Sequence, residues 1–125
     1  MTFRIRATYL SFTALLVVAC ASTTAPLTEF SAGIRTPSAT DIASLVKGKS
    51  FNLASGGLRS DYGAAGNDIT VYFSGRSDKG TWRAEDGRVC YEFTTIPSAC
   101  NDVRLLGNDI YLKRSNGQVT QLLPR

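Results

Sequence analysis

The sequence lacks histidine altogether and has three cysteines, one tryptophan and one methionine in 125 residues. Without histidine, the chain has neither the commonest general base nor the commonest metal ligand of proteins. A Ser or Cys nucleophile would therefore have no imidazole partner. Cysteines without histidine also do not complete the ligand set of a structural zinc site. We therefore predict no catalytic residues, no metal, no cofactor and no enzymatic activity.

A strong excess of positive charge is also missing. The net charge is +4, and loss of an N-terminal leader that contains Arg4 and Arg6 lowers it by two units. Nucleic-acid binders of this size present a much more basic face. We therefore expect no nucleic-acid partner.

The first residues resemble an export signal. Arg4 and Arg6 precede an apolar run that peaks at residues 14–19 and is too short for a spanning helix of about 20 residues. This arrangement is typical of secretory leaders. The pattern predicts a signal peptide over residues 1–19.

The signal ends in Val17-Val18-Ala19-Cys20, which resembles a bacterial lipobox. The resemblance implies lipidation of Cys20 and a membrane anchor at the periplasmic face of the outer membrane. Ala19-Cys20-Ala21 also fits the small-x-small site of ordinary signal peptidase, which would release an unanchored exported protein. The lipoprotein is the preferred interpretation.

Residues 20–39 are rich in Ser, Thr, Ala and Pro and have no apolar period. This composition is typical of a flexible tether that follows the lipidated cysteine. Leu27, Phe30 and Ile34 offer an alternative, in which an edge segment packs on the domain. The folded β domain is predicted over residues 40–125.

A short helix is predicted at the start of this domain, from Thr40 to Gly48. Thr40 is a candidate N-cap and Gly48 a candidate C′ residue. Ile42, Leu45 and Val46 share one helical face, which indicates a plug against a sheet.

The rest of the chain reads as short alternating strands separated by a long loop at 55–67 and by turns, including one at 75–79. The pattern predicts a mainly β fold, an antiparallel meander or small open barrel of about 6–8 strands, with one N-terminal helix and one disulfide. The strands are expected at 50–54, 69–74, 80–84, 88–94, 103–106, 109–114 and 118–123.

The segment 79–101 reads as a disulfide-linked hairpin. With Cys20 lipidated or removed, Cys90 and Cys100 remain as a pair, and such pairs usually join in an oxidising compartment. Alternation places Cys90 on the outer face of its strand, where the disulfide would tie that strand to the loop after Pro97.

Several cationic and aromatic residues make up the candidate binding surface, suited to an anionic glycan, a lipid headgroup or an acidic envelope protein. They are Trp82, Arg83, Arg88, Tyr91 and Arg104. The alternatives are a solvated sheet face and, for Trp82, a place in the core. The core is the preferred interpretation for this residue.

A motif in the second half of the chain resembles a family of small proteobacterial secreted proteins that is known only as a domain of unknown function. The motif runs Gly-x-Trp-Arg, then Asp-Gly-Arg-Val-Cys-Tyr, then a second Cys, over residues 80–100. The resemblance covers roughly residues 45–123 and implies a periplasmic β-rich domain with this disulfide. It implies no catalytic residues. The chain also resembles lipoprotein inhibitors of lysozyme in its size, its lipid anchor and its β-meander build.

These observations predict a non-enzymatic envelope lipoprotein with a structural or binding role. One alternative is an inhibitor or immunity protein against a cell-wall hydrolase or toxin, which a protruding loop at residues 55–67 would favour. Another is a carrier of a small apolar ligand, which a cavity lined by Phe73, Trp82 and Phe93 would favour.

Overall fold

The computed structural model describes residues 25–125, so the predicted signal peptide and Cys20 lie outside the described residues. Each strand pairs antiparallel with the next, and pairing of the last strand with the first closes a barrel. The prediction of a mainly β fold with a short N-terminal helix and a disulfide is confirmed. In order, the elements are α1 (Ala39–Val46), β1 (Ser50–Leu53), β2 (Arg59–Tyr62), β3 (Asp68–Phe73), β4 (Arg76–Glu85), β5 (Arg88–Phe93), β6 (Ala99–Leu106), β7 (Asp109–Lys113) and β8 (Val119–Pro124).

Alternating side chains explain why these strands form a barrel. In β3, Ile69 and Val71 are buried while Tyr72 is exposed, and β4 shows the same period of two. In β5 and β8 the alternation is interrupted, because the outward residues Cys90 and Val119 are buried as well. Inward residues of neighbouring strands meet directly, as Trp82 does with Tyr91 and Leu53 with Leu122. The core is therefore the interior of the barrel.

The meander gives the barrel two distinct ends. Because consecutive strands run in opposite directions, the connections β1–β2, β3–β4, β5–β6 and β7–β8 all lie at one end. We call this the open end. The connections β2–β3, β4–β5 and β6–β7 lie at the other, which we call the closed end.

Helix α1 covers the closed end. Ile42 and Val46 belong to the hydrophobic core. The Ser38 hydroxyl accepts from the Asp41 N–H (3.1 Å) and the Asp41 carboxylate accepts from the Ser38 N–H (3.3 Å), so Ser38 is the N-cap and the prediction of Thr40 was wrong. Gly48 has the positive φ of 71° expected just beyond a helix end.

The segment before the helix runs lengthwise along the outside of the barrel. At the open end, the Leu27 carbonyl accepts from the Val119 N–H (2.7 Å). Further along, Arg35 and Leu105 exchange two backbone hydrogen bonds of 2.9 Å. Gly87, in the β4–β5 turn of the closed end, donates to the Pro37 carbonyl (2.8 Å).

Two predicted connections prove to contain strand. The predicted loop at 55–67 includes β2, whose four residues show little hydrophobic alternation because Ser60 takes one of the two inward positions. The predicted turn at 75–79 is mostly β4, in which a carboxylate, Asp78, faces inward where an apolar residue is expected.

The predicted disulfide between Cys90 and Cys100 is present, and alternation does place it on the outer face. Cys100, however, is not in a loop. It belongs to β6 and lies directly opposite Cys90, with the two Cα atoms 4.0 Å apart. The bond therefore crosses the β5–β6 ladder, because β6 begins earlier than its apolar residues suggested.

Candidate functional site

The open end of the barrel leads into a cavity of about 730 Å³. Its wall is mainly apolar and aromatic, and eight of its lining residues come from the β1–β2, β5–β6 and β7–β8 connections. The wall and rim include Tyr62, Phe73, Tyr91, Phe93, Ile96 and Ser115.

Two tyrosine hydroxyls form the polar point inside this cavity. Tyr62 and Tyr91 are both buried, and their oxygens are 2.6 Å apart, so one hydroxyl donates to the other. Burial raises the pKa of Tyr62 to about 12 and raises the pKa of Tyr91 well above its usual value. Both tyrosines therefore stay neutral. Whichever hydroxyl accepts the hydrogen bond between them can still donate its own hydrogen to another acceptor.

A buried carboxylate holds the β5–β6 connection over the rim. The Asp78 carboxylate accepts from the backbone N–H groups of Thr95 (2.8 Å) and Ile96 (2.9 Å). The hydrogen bond from Ile96, with that from Thr95, lowers the pKa of Asp78. Asp78 thus fixes Ile96 at the mouth.

A glycine two residues further along β4 shapes the adjoining part of the wall. Gly80 in β4 pairs with Phe93 in β5, and a Cβ atom at Gly80 would lie 2.8 Å from the Phe93 ring. The missing side chain lets the Phe93 ring lie against the strand, where it stacks on Tyr91 with ring centroids 5.7 Å apart. The two rings form a flat apolar wall.

Besides the Asp78 carboxylate, the rim carries a positively charged side chain, that of Arg114. Arg114, which follows β7, lines the cavity and is half-buried. Within residues 25–125, its guanidinium takes part in none of the salt bridges.

The five residues of the candidate binding surface do not form one surface. Trp82 and Tyr91 face the interior and are 4% and 8% exposed, whereas the arginines face outward. The reason is alternation, because neighbouring positions on a strand face opposite sides of the barrel wall. The core interpretation of Trp82 is confirmed.

The outward arginines are engaged locally. Arg83 and Arg88 pair with acidic neighbours, Glu85 (3.4 Å) and Asp102 (3.3 Å). The Arg104 guanidinium donates to the Gly87 carbonyl (3.1 Å). These contacts resemble ordinary surface pairing.

Of the three aromatic residues proposed to line a carrier cavity, Phe73 and Phe93 do so and Trp82 does not. The Trp82 ring packs edge-on against Tyr62, with centroids 5.5 Å apart. It thereby fills the barrel on the closed side of the tyrosine pair.

One catalytic-type spacing was not among the predicted sites. Ser44 in helix α1 and Lys47 at its C-cap have the Ser-x-x-Lys spacing found in serine β-lactamases and penicillin-binding proteins. The Ser44 hydroxyl donates to the Thr40 carbonyl in the preceding turn (2.9 Å), and Lys47 is exposed. This is the ordinary environment of a surface helix serine.

Sequence reasoning also missed the cavity residues of irregular segments. Leu58, Ile96 and Ser98 lie in stretches that show no alternation. The one available signal was that Leu58 and Ile96 are apolar residues isolated among Gly, Ser, Thr and Pro, which suggests that each has a buried or ligand-facing position.

No family model, curated protein or solved structure matches the chain. Within residues 25–125, no helix has the length and apolar character needed to cross a membrane. The same residues hold no cluster of three or more metal-ligating side chains.

Proposed function

We propose that this chain is a non-enzymatic, exported lipoprotein that binds a small, largely apolar ligand in the cavity at the open end. The observation behind the proposal is a closed barrel whose interior is packed on one side of the Tyr62–Tyr91 pair and open on the other. The anchor is Cys20, and the location is the periplasmic face of the outer membrane.

Size and lining support a ligand of this kind. Small-molecule sites typically enclose about 300–1,000 Å³ and are lined by apolar and aromatic groups with few polar ones. Eight-stranded barrels are wide enough to hold one small ligand. The tyrosine pair, with the Ser60 hydroxyl beside Tyr62, suits a single polar group, such as a carbonyl or ether oxygen, on an otherwise apolar molecule.

The inhibitor alternative receives less support from the fold. The glycine-rich stretch at 55–67 does not protrude as one loop, because β2 divides it into two connections at opposite ends of the barrel.

Titration with phenylnaphthylamine, an apolar dye that fluoresces when removed from water, tests the proposal. Ala99→Phe adds a ring inside the cavity, where Ala99 lies opposite Tyr91. Thr81→Phe adds the same ring on the outer face of β4. We expect saturable dye binding that Ala99→Phe weakens by about tenfold or more, equivalent to 1.4 kcal/mol.

The control variant Thr81→Phe should bind the dye as the unaltered chain does. Absence of saturable binding by any small apolar compound, or equal affinity in both variants, would contradict the proposal.

A further inference from the structure

We propose that the open end of the barrel faces the membrane in which Cys20 is anchored, so that the cavity exchanges its ligand directly with an anionic lipid surface. This inference rests on the proposed function for the anchor and the ligand. It adds the orientation of the barrel and the source of the ligand.

The first argument is where the N-terminal chain reaches the barrel. The Leu27 carbonyl accepts a hydrogen bond from the N–H of Val119 at the start of β8. Glu29 forms a salt bridge with Lys113 at the end of β7 (3.5 Å). Both contacts are at the open end. The chain then runs away from that end towards Pro37 and the helix.

The second argument is covalent reach. Six residues lie between Cys20 and Leu27, and the seven Cα–Cα steps that join the two span at most about 25 Å. That length brings the open end to the bilayer surface without difficulty. To place the closed end there, the same residues would have to return along a barrel whose ten-residue strand β4, about 33 Å long, rises about 25 Å along the axis at the 35–45° tilt of closed barrels, which leaves no length to reach the bilayer.

The third argument is charge. The open-end connections contain no Asp or Glu, and Glu29, which lies at the same end, is paired with Lys113. Arg114, in the β7–β8 connection, and Arg76, the first residue of β4, take part in no salt bridge within residues 25–125. Basic residues beside a bilayer are attracted to anionic headgroups. The connections are residues 54–58, 74–75, 94–98 and 114–118.

The fourth argument is the composition of the mouth itself. Phe73, Ile96 and Pro97 form an apolar lip around the entrance, and the Arg76 guanidinium lies over the Phe73 ring, 5.6 Å from its centroid. An apolar lip with a basic rim matches the boundary between headgroups and acyl chains. A ligand that dissolves in the bilayer could enter there without crossing water.

Fluorescence quenching tests the orientation. The full-length lipidated protein is placed in vesicles of phosphatidylethanolamine and phosphatidylglycerol that contain lipids with doxyl quenchers near the headgroup. Ser115→Trp adds a reporter at the open end and Asn108→Trp one at the closed end, both at exposed positions. Trp82 is retained in both variants, so its fluorescence is measured in the unaltered chain and subtracted.

We expect the added fluorescence to be lost for Ser115→Trp and unchanged for Asn108→Trp. Equal quenching, or quenching of Asn108→Trp alone, overturns the proposal. So does an extracted protein whose intact mass shows no lipid on Cys20.

The role of charge is tested in the same vesicles. The pair Arg76→Gln and Arg114→Gln should reduce quenching of the Ser115→Trp reporter, as should vesicles without phosphatidylglycerol. The control pair Arg83→Gln and Arg88→Gln, away from the open-end connections, should leave it unchanged. If Arg76→Gln and Arg114→Gln together leave the quenching of the Ser115→Trp reporter unchanged, the proposed attraction of these arginines to anionic lipid is overturned.

Dye binding, measured separately on the unaltered chain because Ser115 itself lines the cavity, distinguishes this inference from the proposed function. Dye binding without quenching of the Ser115→Trp reporter retains the carrier and overturns the orientation. If the reporter is quenched but the protein binds no dye, the open end does face the membrane. That result overturns the proposed ligand binding, and with it the exchange of ligand with the bilayer.

Discussion

The two ends of this barrel use the same strands for different purposes. On the closed side of the tyrosine pair, large side chains such as Trp82 and Leu105 fill the interior and helix α1 covers it. On the open side, the inward positions include Ser60, Ala99 and a half-buried Asn101, which leave space. Small and polar inward residues thus turn half of a core into a cavity, while the packed half stabilises the fold.

This comparison predicts that closed-end substitutions change stability and open-end substitutions change binding. The largest effect is expected for Trp82→Ala, which removes a buried indole packed against Tyr62. Such a truncation should lower the free energy of unfolding by about 3–5 kcal/mol. Urea denaturation followed by circular dichroism measures it.

Trp82→Phe is the matched control and should lower stability by much less, because a ring remains. An unchanged urea midpoint for Trp82→Ala would break the comparison, since it would mean that the closed end is not the stabilising half. In the unaltered protein, a blue-shifted emission poorly quenched by iodide would agree with the buried indole.

The packed half was also the more predictable from sequence. Alternation in β3 and β5 indicated the central strands because local propensity and burial agree there. Short β2, and the first residues of β4, were missed because Ser60 and Asp78 occupy inward positions that tertiary contacts make acceptable. Barrel closure depends on the β1–β8 pairing, which no local pattern reveals.

The cavity was less predictable for the same reason. Phe73 and Phe93 were correctly linked to a possible cavity, but Trp82 was grouped with them because sequence gives the side of a strand and not the height along the barrel axis. Leu58 and Ile96 come from connections, where periodicity carries no information.

The next largest effect concerns the disulfide, which ties the β5 and β6 walls of the cavity together. Replacing both Cys90 and Cys100 with Ser should lower the free energy of unfolding by about 2–3 kcal/mol, since the bond closes a short loop. Non-reducing peptide mapping of exported protein checks the bond itself. Recovery of both cysteines as free thiols would contradict its role.

Asp78→Asn sharpens the comparison at the open end. Hydrogen bonds from Ile96 and Thr95 lower the folded-state pKa of this carboxyl, so its stabilising effect is present above the unfolded value of about 3.9 and is lost as pH falls through the folded one. The variant should therefore be less stable than the parent at neutral pH, and the difference should shrink below about pH 4. Thermal unfolding across this range measures it.

The same variant should weaken dye binding, because Ile96 loses its fixed place at the mouth. A stability difference that stays constant from neutral to acidic pH would contradict the assigned hydrogen bonds.

The smallest effect is expected at the opposite end, for Ser38→Ala. Loss of the capping hydroxyl leaves the Asp41 N–H without its acceptor and should lower the free energy of unfolding by about 1 kcal/mol. Because Ser38 is far from the cavity along the barrel, dye affinity should stay the same. Ser38→Asp, which can still accept the hydrogen bond, should restore most of the stability. A change in dye affinity for Ser38→Ala, with the fold intact, would show that the two halves are coupled through the core and are not independent.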